Sequence, residues 1–282
     1  MKNVIYRVLV IIIFFTGNSA AQTGRESIKF RLAENFMVIV PIKINNTETL
    51  EFLLDTGTNT SIIVPEAAAR LNLRPIDRIE LVTPAGAVIT PRSFLSSVVL
   101  GAKSAENVEV LWSDLSELRA VDKRLSGILG QNFLSHFNFT LSFREQRIDF
   151  GEARQKQFAK TLHIPFKADE NGLLLILKTN ESELRLVLDT GAAGLILFAS
   201  GCRKLEKEIE RSEQLMQVST SAGSGWTQTG WLDKLQFGSK SLRRVQVAML
   251  NETGRIEDGL LPLRLFNSVY FNNRERFVIL NP

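Results

Sequence analysis

"FLLDTGTNT", residues 52–60, and "LVLDTGAAG", residues 186–194, decide how this chain is read. Each is an apolar run that ends in an acid, Asp55 or Asp189, followed at once by Thr and Gly. An apolar run of this length reads as a buried strand. A lone carboxylate at the end of such a strand would be costly to bury. The same arrangement 134 residues apart suggests instead that the two acids meet.

Working outward, the whole chain repeats. "IKFRLAEN" from Ile28 matches "IPFKADEN" from Ile164. "PAGA" around Ala85 and Gly86 matches "SAGS" around Ala222 and Gly223. "VVLGAKS" matches "LQFGSKS", "GILGQNFL" from Gly127 matches "GLLPLRLF" from Gly259, and "FREQRIDF" resembles "NRERFVIL". Matching blocks in one order at a nearly constant offset mark a tandem repeat. The expected organisation is a signal segment over 1–21, a first lobe over 22–151, a linker over 152–161 and a second lobe over 162–282.

Within each lobe the signal is mostly strand. "FMVIVPIKI", "LEFLLD", "SFLSSVVLG" and "VEVLW" are short, rich in β-branched or aromatic residues and bounded by turn residues. Three helices are expected. "PEAAARLNL" starts on Pro65, "SDLSELRAVDKRL" is capped by Ser113 or Asp114, and "GCRKLEKEIERSEQLM" is the longest. In the last, Leu205, Ile209 and Leu215 should turn inward beneath a solvated charged face. The fold class is therefore all-β with a few short helices.

Composition narrows the chemistry. The chain is 44% apolar and 23% charged, an ordinary globular balance. Its formal charge of +4 falls when Lys2 and Arg7 are removed with the signal, leaving 32 basic residues against 30 acidic. Nothing there points to nucleic acid. Lys2, Arg7, the apolar stretch Val8–Phe15, and the small residues Ser19 and Ala21 read as an export signal cleaved after Ala21. An uncleaved membrane anchor is the alternative, but the apolar run is short for a span. The expected location is periplasmic or extracellular, with no stable membrane span after cleavage. Cys202 is the sole cysteine, so no intrachain disulfide forms, and it reads as a half-buried small residue rather than a nucleophile. His136 and His163 lack metal-ligand spacing. No phosphate loop or nucleophile elbow is present. Neither a metal nor a cofactor is expected.

Two carboxylates held together share a proton, because the charge on one holds the other protonated. Such a pair is a base and an acid at once, able to activate a water against a carbonyl. The neighbours suit this task. Leu53–Leu54 and Val187–Leu188 make rigid strands, Thr56 and Thr190 offer hydroxyls that can bond across to the partner loop, and Gly57 and Gly191 let the backbone approach and donate to the acids. Thr58 stands where the second copy has Ala192. Its hydroxyl is expected to donate to Asp55, making Asp55 the more acidic member and leaving the proton on Asp189.

These residues resemble the aspartic peptidases, as two retropepsin-like units in tandem. The marks are Asp55–Thr56–Gly57 with Gly127–Gly130, and Asp189–Thr190–Gly191 with Gly259–Pro262. The resemblance implies a bilobal acid-protease fold as a single-chain pseudo-dimer, with an apolar-apolar-Gly segment beneath each catalytic loop. It implies an aspartic endopeptidase acting on polypeptide, with Asp55 and Asp189 catalytic. It also implies flaps whose tips lie at Ala85–Gly86 and Ala222–Gly223. The short linker favours pairing within one chain, hence a monomer. The alternative is an inactive module of the same fold that binds a peptide or small ligand. Pro262 departs from the expected glycine and lacks an N–H. The first flap, "TPAGA", has no tyrosine, and Trp226 either caps the cleft in its place or packs into the core.

Overall fold

A computed structural model describes residues 27–83, 86–153, 163–169, 172–178, 182–220, 223–237 and 240–281. The expected signal segment lies outside these residues, as do most of the linker and the tip residues Ala85 and Ala222.

The repeat in sequence is a repeat in topology. In the first half, β2 (Arg31–Ala33), β3 (Met37–Ile44) and β4 (Glu48–Leu54) form a meander. The sheet then continues through β9 (Leu125–Leu129), β5 (Ser61–Ile63), β8 (Lys103–Trp112), β7 (Gly86–Leu100) and β6 (Asp77–Thr83). The second half runs in the same spatial order. Its strands are β12 (His163–Asp169), β13 (Gly172–Lys178), β14 (Glu183–Asp189), β19 (Gly259–Pro262), β15 (Leu195–Leu197), β18 (Lys240–Met249), β17 (Gly223–Phe237) and β16 (Ile209–Thr220). This is the all-β, two-lobed architecture expected from the repeat, and the acid-protease-like one that the resemblance implies.

In each half one of the two parallel strand pairs sets the site. β4 lies beside β9, with Leu53 opposite Ile128, and β14 lies beside β19, with Asp189 opposite Pro262. Glycine begins each supporting segment because a third strand presses on it. A Cβ on Gly127 would stand 2.3 Å from Ile62 O, and one on Gly259 would stand 2.0 Å from Ile196 O.

The halves join through a central sheet. β1 (Ser27–Lys29), β11 (Arg147–Phe150) and β10 (Phe139–Ser142) pair in sequence with β20 (Ser268–Asn272), β21 (Phe277–Asn281) and β12. The seam is the antiparallel β10–β20 pair, where Phe139 faces Phe271 with rings stacked 4.7 Å apart. Both rings are fully buried. Burial of side chains this large stabilises the seam by roughly 1.5–3 kcal/mol each. Buried apolar side chains of both halves form one continuous core.

The helices depart from expectation in three places. The expected long helix from Gly201 to Met216 stops early. α4 covers only Ala199–Lys204, and Ile209 begins the twelve-residue strand β16. Leu205 is 1% exposed as expected, but Leu215 is 59% exposed. Pairing along β17 outweighs the helical preference of the charged residues, as tertiary context routinely does. α1 (Pro65–Arg70) forms as expected, and α2 is Ser116–Val121. Neither Ser113 nor Asp114 occupies the cap of α2. Leu115 takes it in the left-handed region, while Asp114 accepts from the Ser116 N–H. A further helix, α3 (Gln131–Leu134), follows the Gly127–Gly130 segment and was not expected.

Candidate active site

Asp55 stands just beyond the end of β4, its N–H bonded to Leu129 O at 3.0 Å. Asp189 ends β14. Each acid is therefore carried by a buried strand braced in parallel by the segment beneath it. Asp189 is buried and Asp55 half-buried.

Reciprocal threonine contacts bring the two loops together. Thr56 Oγ1 donates to Leu188 O at 2.8 Å and accepts from the Thr190 N–H at 3.1 Å. Thr190 Oγ1 donates to Leu54 O at 2.7 Å and accepts from the Thr56 N–H at 2.9 Å. Both threonines are buried. Four hydrogen bonds thus cross between the halves with no hydroxyl left over.

The glycines let each loop lie against the opposite acid. A Cβ on Gly57 would stand 2.6 Å from the Asp189 carboxyl carbon, and one on Gly191 would stand 3.1 Å from Asp55 Oδ2. Either loop would have to retreat for any larger residue. Gly57 N–H donates to Asp55 Oδ1 at 2.8 Å, and Gly191 and Ala192 N–H donate to Asp189 Oδ1 at 2.6 and 3.1 Å.

The two carboxyls are hydrogen-bonded to each other. Burial pushes Asp55 above the ordinary carboxylate range, opposed by the Gly57 N–H and by the bond from Asp189. Burial pushes Asp189 well above it, and the Asp55 charge then adds to the shift, against the two backbone donors. Of the two, Asp189 is the one pushed further toward its protonated form. The direction is the one expected, but the reason is not. Thr58 Oγ1 donates to Thr60 O at 3.2 Å rather than to Asp55. The asymmetry arises from burial and from the neighbouring charge.

The braces beneath the loops differ in chemistry. Under Asp55, the Gly130 N–H donates to Ser61 Oγ at 3.0 Å, Ser61 Oγ donates to Asn132 Oδ1 at 2.7 Å, and Asn132 Nδ2 donates to Glu109 O at 2.7 Å. Gln131 Nε2 also holds Thr56 O at 3.0 Å. Under Asp189, Pro262 has no N–H to offer, and the position of Ser61 is taken by buried Leu195. Donor and acceptor are lost together, so Pro262 leaves no orphaned group and the brace is apolar.

The hairpins β6–β7 and β16–β17 lead to the positions expected for the flap tips, of which backbone is described only for Gly86 and Gly223. Thr90 and Thr227 pin these two hairpins in the same way, through hydroxyls donated to Trp112 O and Met249 O. Trp226 is 71% exposed, so it does not pack into the core. Its neighbour Thr227 is buried on the other face of the strand. Cys202 donates to Leu197 O, and burial pushes its thiol up, which suits an inert residue. Among the described residues, no group of three or more His, Cys, Asp or Glu side chains is arranged to hold a metal ion.

Gln131 is the site residue that sequence reading missed. It falls in the block matched between the halves, but its partner there is Leu263, so the repeat itself hid it. A family model described as "Aspartyl protease" matches the chain twice, over residues 40–133 and 175–263. No curated protein matches it.

Proposed function

We propose, from the premise that this chain belongs to the aspartyl protease family, that it is an exported endopeptidase in which Asp55 and Asp189 act as one unit on a shared water. The observation that carries this reading is the reciprocal Thr56–Thr190 grip, which holds two mutually hydrogen-bonded carboxyls from opposite halves. A fold that needed only its core would have no use for a buried pair of acids at that seam.

Asp55, ionised, takes a proton from a water placed between the acids as the water oxygen bonds to the scissile carbonyl carbon. Asp189 gives its proton to the carbonyl oxygen, so no free oxyanion forms. Collapse of the resulting gem-diol returns a proton to Asp189 and delivers one to the departing amine. The step asks for one protonated and one ionised carboxyl, and the charge of one acid beside the buried carboxyl of the other favours that state. The bracing strands hold the geometry that such acid–base attack requires.

The test is cleavage of an unfolded protein and a peptide library from about pH 3 to 8. Activity should fall on the acid side as Asp55 takes up a proton. On the alkaline side it should fall as Asp189 loses its own, at a pH well above the ordinary carboxylate range. Asp55→Asn and Asp189→Asn should each abolish cleavage, by about a thousandfold or more, since the pair works as a unit. Cleavage that survives either substitution would overturn the shared-water reading.

A further inference from the structure

The peptide unit between Thr56 and Gly57 is held at both of its polar groups. Its carbonyl, Thr56 O, accepts from Gln131 Nε2 at 3.0 Å. Its N–H, on Gly57, donates to Asp55 Oδ1 at 2.8 Å. A trans peptide unit is planar, with its C=O and N–H pointing in opposite directions. Fixing the carbonyl therefore fixes where the N–H points. Gln131 opens α3, directly after the segment that braces Asp55. Its own backbone is tied to the same loop, since the Gln131 N–H donates to Thr58 O at 2.9 Å. One residue thus grasps the Asp55 loop on both sides of Gly57.

The second half is built differently at this point. Leu263 stands at the matching position, fully buried and with no side-chain donor. Asp189 Oδ1 accepts instead from two backbone donors, the Gly191 and Ala192 N–H groups. On Asp55 the backbone donor that opposes burial is the Gly57 N–H. The amide at position 131 is also kept against its surroundings. Gln131 is only 6% exposed, and its Oε1 has no hydrogen-bond partner in the protein. A buried polar atom left in that state costs free energy. Leu263 shows that an apolar side chain fills the matching place in this fold. A side chain that packing alone would not select calls for another task.

We propose that Gln131 is a positioning residue: by holding Thr56 O it aims the Gly57 N–H at Asp55 and so supports the negative charge of the acid that takes a proton from water. Its part in catalysis rests on the peptidase reading above, whereas its effect on the Asp55 charge stands apart from that reading. A hydrogen bond donated to a carboxylate favours the charged form. Such a bond weakens steeply as the donor turns out of line. Burial raises the Asp55 pKa and the Gly57 N–H lowers it, so a misaligned N–H leaves burial less opposed. The titratable group packed against Asp55 is Asp189, from the opposite loop, and its close neighbours Thr56, Gly57 and Gly191 carry no charge. Loss of the Gln131 amide leaves Asp189 in place, so the titration of Asp55 reads the aim of the N–H.

The pH dependence of kcat/KM on a cleaved peptide tests this. Gln131→Met keeps the length of the side chain and loses the donor, and Gln131→Leu installs the residue of the other half. Both should move the acid limb up by about one unit, so that activity on the acid side falls about tenfold. Damage to the loop alone would slow cleavage at every pH alike and leave the limb where it is. A limb that stays in place in either folded variant overturns the proposal and leaves the peptidase reading intact. Failure of both variants to fold would assign Gln131 to the fold alone and overturns it too. If wild type cleaves no peptide, the peptidase reading fails. Titration of the isotope-labelled Asp55 carboxyl by NMR, assigned with Asp55→Asn, then decides the matter without substrate: a midpoint raised in Gln131→Met supports the aim, and an unmoved midpoint overturns it.

Discussion

The hydroxyls of Thr56 and Thr190 each make two hydrogen bonds across the seam. Thr56→Val keeps the side-chain shape but strands Leu188 O and the Thr190 N–H without partners. The expected loss is about 2–6 kcal/mol of stability, at roughly 1–3 kcal/mol per stranded group. Urea unfolding checks it, with Thr56→Ser as the variant that keeps the bonds; equal midpoints for the two would remove the grip from the account. Thr58 gives the opposite expectation. Its hydroxyl serves Thr60 O, so Thr58→Ala should leave the acid limb of the pH–rate profile where it is. A shifted limb would show that the hydroxyl turns to Asp55 in solution. The acids, the threonines and the glycines were legible from the two Asp-Thr-Gly triplets alone, because each residue type has one plausible task beside a buried carboxylate. The partner of the Thr58 hydroxyl was not legible, since a flexible donor chooses among acceptors that only the folded loop supplies.

At the scale of elements, the two supporting segments look alike in sequence and are braced by different forces. The Gly127–Gly130 segment is tied by hydrogen bonds through Ser61, whereas Gly259–Pro262 rests on Leu195 and Leu263. This predicts coupling between positions 262 and 195. Pro262→Gly alone should destabilise by about 1 kcal/mol, through added freedom of the unfolded chain and an N–H with no acceptor. In a Leu195→Ser background that N–H gains the acceptor that Gly130 has, and the loss should shrink. A double-mutant cycle by urea unfolding measures this, and strict additivity would mean the two positions do not sense each other. The helix expected from Gly201 to Met216 is the clearest failure of local reading. Its charges and leucines fit a helical face, yet residues from Ile209 onward are drawn into β16 by a fifteen-residue neighbour, β17. From Met216 to Ser219 an alternation of period two is also present, but a short apolar pattern does not choose between the two periods by itself.

At the scale of the molecule, the central sheet makes one body of two repeats. β10 pairs with β20, the Phe139 and Phe271 rings stack across the seam, and the grip closes above them. Because both carboxylates belong to one chain, specific activity should not change on dilution. Activity measured from micromolar to nanomolar enzyme, with light scattering at the upper end, checks this; a loss of activity on dilution would point to a dimer as the working species. Among the described residues no helix is long and apolar enough to cross a membrane. The sequence by itself determined the duplication, the strand-rich class and the meeting of Asp55 with Asp189, because repeats, apolar periodicity and a paired buried acid are properties of the chain's order. Only the tertiary structure decided how deeply each acid is buried, how Pro262 is accommodated and which acceptor the Thr58 hydroxyl takes. Those outcomes depend on burial and on the neighbours that close packing brings together, and residues far apart in sequence acquire such neighbours only when the halves dock.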